Sequence, residues 1–420
     1  MKRKILAILV CLSVVPSGAY AVDWALNSTL SETVEANNNP FLQAVAAGTF
    51  SSYSTIIANA TARTPTSTFN FLGDVSYRKY WGPGIETPGA QSESLSGGFR
   101  MHYETKEKYS ADREYVDAGW HRQSTAFALL GELGIVTNAR GFIDKTNVGA
   151  GIDRAISALD VVSLSGRANY TSYDPGTGGT PFVDASGDVS WRHRVNSITT
   201  LSASSDVESE HFDNALNTDI LILRENAGLE ATLSPQLSFN GTAGVAYVQT
   251  SNGTPALTSL SPGANASSSG SIVGFITNMA LIYKMFPDTT LTLTGVKSIA
   301  PSTVGSLIEL TTIGAGLSHR VNSRETLSFA ANASQTTSSG VESDFLSASA
   351  TYGYQLTPEW TAQLSYRYLH RLATSGTTSG FAFDPITGLP ISVASGTPAA
   401  SSNSIMVVVS RSVSILPDGN

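Results

Sequence analysis

From residue 22 onward, apolar and polar residues alternate nearly one for one in segment after segment. Between Trp360 and Tyr368, one phase carries Trp360, Ala362, Leu364, Tyr366 and Tyr368, and the other carries Thr361, Gln363, Ser365 and Arg367. Leu237, Phe239, Ala243, Val245 and Tyr247 alternate with Ser238, Asn240 and Thr242 in the same way. So do Phe69, Phe71, Val75 and Tyr77 with Asn70, Asp74, Ser76 and Arg78, while Val273, Phe275, Met279, Leu281 and Tyr283 form a further apolar face. Side chains of a strand point alternately to its two faces, so a period of two predicts strands that are apolar on one side and polar on the other. The pattern predicts eighteen, at 24–36, 50–62, 67–80, 92–104, 113–123, 141–154, 159–172, 182–194, 197–209, 218–232, 236–249, 270–285, 289–300, 305–320, 325–337, 341–355, 359–371 and 403–415.

What separates the strands is as regular as the strands themselves. Tight turns read Val195-Asn196-Ser197, Leu233-Ser234-Pro235-Gln236, Met285-Phe286-Pro287-Asp288, Val321-Asn322-Ser323-Arg324 and Leu356-Thr357-Pro358-Glu359. Between one tight turn and the next lies a longer connection rich in Gly, Ser, Thr and Pro. Short turns at one end and long loops at the other are the pattern of an outer-membrane barrel. No stretch reaches the roughly 18 apolar residues of a spanning helix, and in lipid only helices or closed barrels satisfy every backbone group. A secreted solenoid would show a fixed short repeat with tight turns at both ends, and neither is present.

The expected fold is therefore a single-chain, antiparallel, up-and-down transmembrane β-barrel of about eighteen strands, with sixteen or twenty as the alternatives. Residues 126–138 also alternate. Counting them as a strand would make the number odd and put later tight turns on opposite sides, so 124–140 is read as a loop. The longest loop, 372–402, is a candidate to fold inward as a constriction.

The N-terminus reads as an export signal: Lys2, Arg3 and Lys4, then an apolar run from Ile5 to Val15, then Ala19-Tyr20-Ala21. Residues 1–21 are expected to be cleaved, leaving 22–420 as the barrel. The single cysteine, Cys11, falls in the leader. Losing three basic groups takes Lys+Arg from 25 to 22 against 33 Asp+Glu, a net charge of −11 for the mature chain. That balance disfavours nucleic-acid binding. Charged residues make up 14% of the chain, against roughly 25% in soluble domains, as suits a barrel with an apolar exterior.

Chemistry, if any, belongs on the polar phase. Alternation points Arg78, Arg100, Arg167, Arg192, Arg194, Arg224, Arg320 and Arg367 to the lumen, with Asp74, Glu104, Asp153, Glu230 and Glu309. Two readings stay open. Rings of basic side chains attract anions or acidic sugars, or the arginines pair with these carboxylates and complete a polar wall. The acids Asp174, Asp184, Glu208, Glu210 and Asp213 are expected in or beside outer loops, which would leave the wall more basic than the chain. His193 and His319 sit in the repeated H-R-V-N-S turn, on the lipid phase near an interface. Their separation fits no metal-ligand spacing. Hydrolase, zinc-protease, calcium-loop and phosphate-loop motifs are absent, so neither an enzyme nor a cofactor is expected.

The run from Leu26 to Asn38 (L-N-S-T-L-S-E-T-V-E-A-N-N), the segment Val75-Ser76-Tyr77-Arg78-Lys79-Tyr80, and the repeated hairpins resemble the β-barrel porin type 2 family. That family overlaps with barrels associated with exopolysaccharide export in Gram-negative bacteria. The resemblance implies an outer-membrane, porin-like channel for small hydrophilic solutes or anions, and the even strand count with the export signal puts both termini in the periplasm. The alternative it implies is an accessory barrel of an exopolysaccharide export system that conducts little. Outer-membrane lipid and the barrel-assembly machinery are the implied partners; under the alternative, polysaccharide or its export proteins join them.

Overall fold

The structure is a computed structural model. It describes residues 22–40, 42, 45–85, 92–106, 112–125, 141–174, 179–214, 216–251, 269–301, 307–338, 341–373, 380–383, 390–393 and 398–416. The expected leader, the segment 126–140 and most of the connection 372–402 lie outside these residues.

Seventeen strands follow one another up and down. They are β1 (Asp23–Asn37), β2 (Thr49–Arg63), β3 (Ser67–Trp81), β4 (Glu93–Lys106), β5 (Arg113–Ser124) and β6 (Phe142–Ala155). Then come β7 (Asp160–Tyr173), β8 (Phe182–Arg194), β9 (Thr199–Phe212), β10 (Thr218–Ser234), β11 (Leu237–Ser251) and β12 (Ser269–Phe286). β13 (Thr289–Pro301), β14 (Leu307–Arg320), β15 (Glu325–Ser338), β16 (Val341–Gln355) and β17 (Trp360–Arg371) complete the run. A separate two-stranded hairpin, β18 (Gly380–Phe383) with β19 (Pro390–Val393), stands in the long connection before β20 (Ala400–Leu416).

Each barrel strand pairs with its sequence neighbours, and β20 pairs with both β17 and β1, closing an eighteen-stranded antiparallel sheet. Closure matters physically because it leaves no open sheet edge in the hydrocarbon. The segment 124–140 is not needed for it. The strands differ from the expected spans mainly at the long-loop end: β9 runs on to Phe212, β14 begins at Leu307 and β20 begins at Ala400.

One phase of the alternation carries the exposed apolar belt, among it Val34, Ile56, Val75, Val116, Val189, Val245, Ile313, Leu364 and Val407. This is the lipid face. The ladders carry the opposite phase unbroken round the wall: Glu35 opposite Ser51, Arg78 opposite Ser94, Arg167 opposite Ser186, Arg367 opposite Ser404. Aromatic rings mark the ends of the lipid face, as Phe50 against Trp81 and Trp191 against His193.

Candidate functional site

The inner face is a polar wall with an uneven distribution of charge. Toward the long-loop end, Glu35 on β1 lies between two arginines, 2.7 Å from Arg78 on β3 and 3.1 Å from Arg367 on β17. The arginines reach it across β2 and β20 because all three residues share the inner phase. Arg78 also stands over the rings of Tyr53 and Tyr80, at 4.7 and 4.8 Å. Nearby, buried Arg371 donates to the carbonyls of Leu42 and Pro398. Leu42 takes a positive φ of 47° and packs with Phe345 and Ala400. The connection after β1 is thereby tied to the inner wall.

Eight strands further round, β8 to β10 carry a patch of acid. Asp184, Asp188, Asp206, Glu208 and Glu210 all hold the inner phase. Of the acids expected in or beside outer loops, Asp184 and Glu208 stand in strand next to the loops, and Glu210, expected in the loop 210–217, is corrected to the β9 ladder. β9 is longer than its alternation indicated, and its long-loop end, residues 210–212, is ladder, not loop. Most of this acid is sequestered. Arg224 binds Asp206 and Glu208 at 2.5 and 2.6 Å, Asp184 is buried against Asn169, and Glu210 is buried. Asp174 and Asp213 do follow the strand ends, with Asp174 bound by Arg122 at 3.1 Å.

The remaining candidate arginines behave differently. Arg100, Arg167, Arg192 and Arg194 are exposed on the inner phase and have no ion pair among the described residues. Arg320 keeps the inner phase but sits at the rim, its Nε donating to Asp288 of the adjacent short turn at 2.8 Å. Of the acids expected to neutralise them, Glu104 and Asp153 go mainly to other partners. Lys106 binds Glu104, and Arg113 binds Asp153 at 2.9 Å. Glu230 accepts from Asn240, and Asp74 has no ion pair among the described residues; Glu309, expected in the lumen, is corrected to the lipid phase, opposite Ile299 and paired with Lys297.

Sequence reasoning missed Glu35, Arg113 and Arg371. Each lies on the polar phase, and its role depends on which strands close the barrel. His193 lies on the lipid phase at the short-turn end, with Nδ1 2.8 Å from Asp160, and His319 is bonded to Thr289. No group of three metal-ligating side chains occurs among the described residues.

No family model and no curated protein matches this sequence. Solved structures do. The FrpB iron transporter of Neisseria meningitidis aligns with a TM-score of 0.50 at 6% identity, covering 93% of this chain and 81% of that one. A BenF-like porin from Pseudomonas fluorescens Pf-5 aligns at 0.49 and 10% identity, over 93% and 99% of the two chains. OccK2 (OpdF) of Pseudomonas aeruginosa aligns at 0.49 and 8% identity, over 94% and 98%. At such identities the likeness is one of fold, and the fold is that of an outer-membrane β-barrel.

Proposed function

We propose that the chain is an outer-membrane channel for small hydrophilic solutes, with a preference for anions. In this reading the short turns and both termini lie in the periplasm, as short turns do in barrels of this class. Eighteen strands leave room for water inside, whereas eight are filled by side chains. The observation that supports anions is an excess of exposed cations on the inner phase, four arginines against the exposed acid Glu230 among the described strand residues. Arg100, Arg167, Arg192 and Arg194 stand exposed along the wall, while Glu35, Asp184 and Glu210 are buried and Arg224 engages Asp206 and Glu208. A solute within a Debye length of roughly 8–10 Å of the wall feels these exposed cations more than charge in distant loops. The accessory role in exopolysaccharide export has only the sequence resemblance in its favour, and the exposed cations favour conduction.

The test is a reversal-potential measurement on purified protein in a planar bilayer under a salt gradient. Replacing Arg100, Arg192 and Arg194 together by Gln should move the reversal potential toward cation preference. Arg320→Gln should move it little, since Arg320 is already engaged by Asp288. An open channel whose selectivity ignores the triple variant would reject the anion reading. A protein that never conducts would reject the channel itself.

A further inference from the structure

The wall is not uniformly bonded. β12 is the longest barrel strand, and its ladder to β11 extends without interruption from Leu237/Tyr283 to Ser251/Ser269. Its ladder to β13 stops at Thr277/Lys297. Above that rung no pairing joins β12 to β13 among the described residues, although β13 continues to Pro301 in register with β14. Nine residues separate Thr277 from Phe286 at the short turn. At about 3.3 Å per residue and a tilt of about 40°, the break begins roughly 23 Å above the turn, at the outer margin of the apolar band.

The alternation breaks at the same place. Ile299 shares the phase of Leu291 and Leu293, which face lipid on regular β13. Its side chain is nevertheless 2% exposed and, with Leu307 of β14 on the same phase, joins the buried cluster of Phe212, Ile220, Ile222, Ala246, Val248 and Ile276. All six of those residues hold the inner phase of β9 to β12. The Cδ1 of Ile299 occupies the spot a Cβ on Gly274 would need, so the absence of a side chain at 274 admits it. Side-chain packing thus closes the seam where backbone hydrogen bonds do not. On the lipid phase, Val273 and Phe275 are exposed beside it, and Lys297 of the last rung pairs at 2.5 Å with Glu309, which lies opposite Ile299.

We infer that this seam is a lateral passage for small apolar molecules between the lumen mouth and the outer leaflet, with Ile299 on Gly274 as its latch. An unpaired sheet edge is costly near lipid and is ordinarily eliminated by pairing. Here the unpaired edge coincides with the one large apolar cluster described on an otherwise polar inner face. An apolar solute leaving the water of the mouth would exchange it for Ile and Val side chains, then for acyl chains. The inference rests on the outward placement of the long-loop end proposed above.

The mature chain is expected to lack cysteine, so Gly274→Cys and Ile299→Cys can be joined selectively by a short bifunctional thiol reagent. The readout is the rate at which intact cells take up the apolar dye N-phenyl-1-naphthylamine, compared between bridged and unbridged protein in the outer membrane. Bridging should slow uptake several-fold and leave ion conductance in planar bilayers unchanged. Ile299→Ala, which removes the latch, should speed uptake. Equal rates with and without the bridge would overturn the lateral passage. Parallel loss of conductance would also overturn it, by showing that the bridge obstructs the main lumen. Anion preference is read separately in the bilayer, so its failure would be distinguishable from failure of the seam.

Discussion

Glu35 is 7% exposed and balances the charge of two guanidinium groups. Glu35→Gln should lower stability by about 1–3 kcal/mol, below the roughly 3–5 kcal/mol of a fully buried pair because Arg367 is half exposed. Urea unfolding in detergent measures this. The same change should increase anion preference, since both arginines lose their counter-charge. On the opposite face, Leu364 is in lipid while Gln363 points to the lumen. Leu364→Arg should cost about 2–4 kcal/mol near mid-bilayer, and Gln363→Arg should insert and melt like the parent protein. Equal melting of the two would reverse the faces of β17. Two carboxylates on the lipid phase are met by hydroxyls: Ser52 and Ser54 donate to Glu32, and Ser205 donates to Glu225 at 2.7 Å. Glu32 and Glu35 stand three residues apart in one strand and have opposite surroundings, which alternation alone explains.

Four of the short turns share one construction. After β6, β8, β14 and β16, the first two turn residues donate to the carbonyl of the residue that opens the next strand or adjoins its opening, as Val195 and Asn196 do to Thr199. A side chain then closes the turn: Ser157, Asn196, Asn322 or Thr357 accepts from a backbone N–H two residues on. These turn-forming residues were legible because a polar side chain able to cap the backbone is part of the turn itself. Asn196→Ala and Asn322→Ala should each cost about 0.5–1.5 kcal/mol through the lost hydrogen bond, read as a lower midpoint in urea. The opposite ends of the strands were less legible. The last rungs of β9 are set by β8 and β10, with Phe212 opposite Phe182 and Thr218. Whether a polar Glu210 is loop or ladder therefore depends on its neighbours.

At the scale of the molecule, the proposed orientation puts the long connections outside the cell and the short turns in the periplasm. An epitope placed between Tyr173 and Phe182 should be labelled on intact cells, and one at Pro235 only after the outer membrane is breached. Labelling in the reverse order would invert the barrel and, with it, the direction in which the seam opens. The sequence by itself determined the strand number, the two faces and the tight turns. All three follow from local alternation and from turn residues that act on their own backbone. Only the tertiary structure decided that β20 closes on β1, bringing Arg367 to Glu35 across 332 positions of chain. It also decided that Asp184, Glu208 and Glu210 line the wall, and that Ile299 turns inward where a ladder ends. The reason is common to all of these. Charge pairing across a lumen and packing across a seam depend on which strands meet and how far their ladders run, and a period of two carries information about neither.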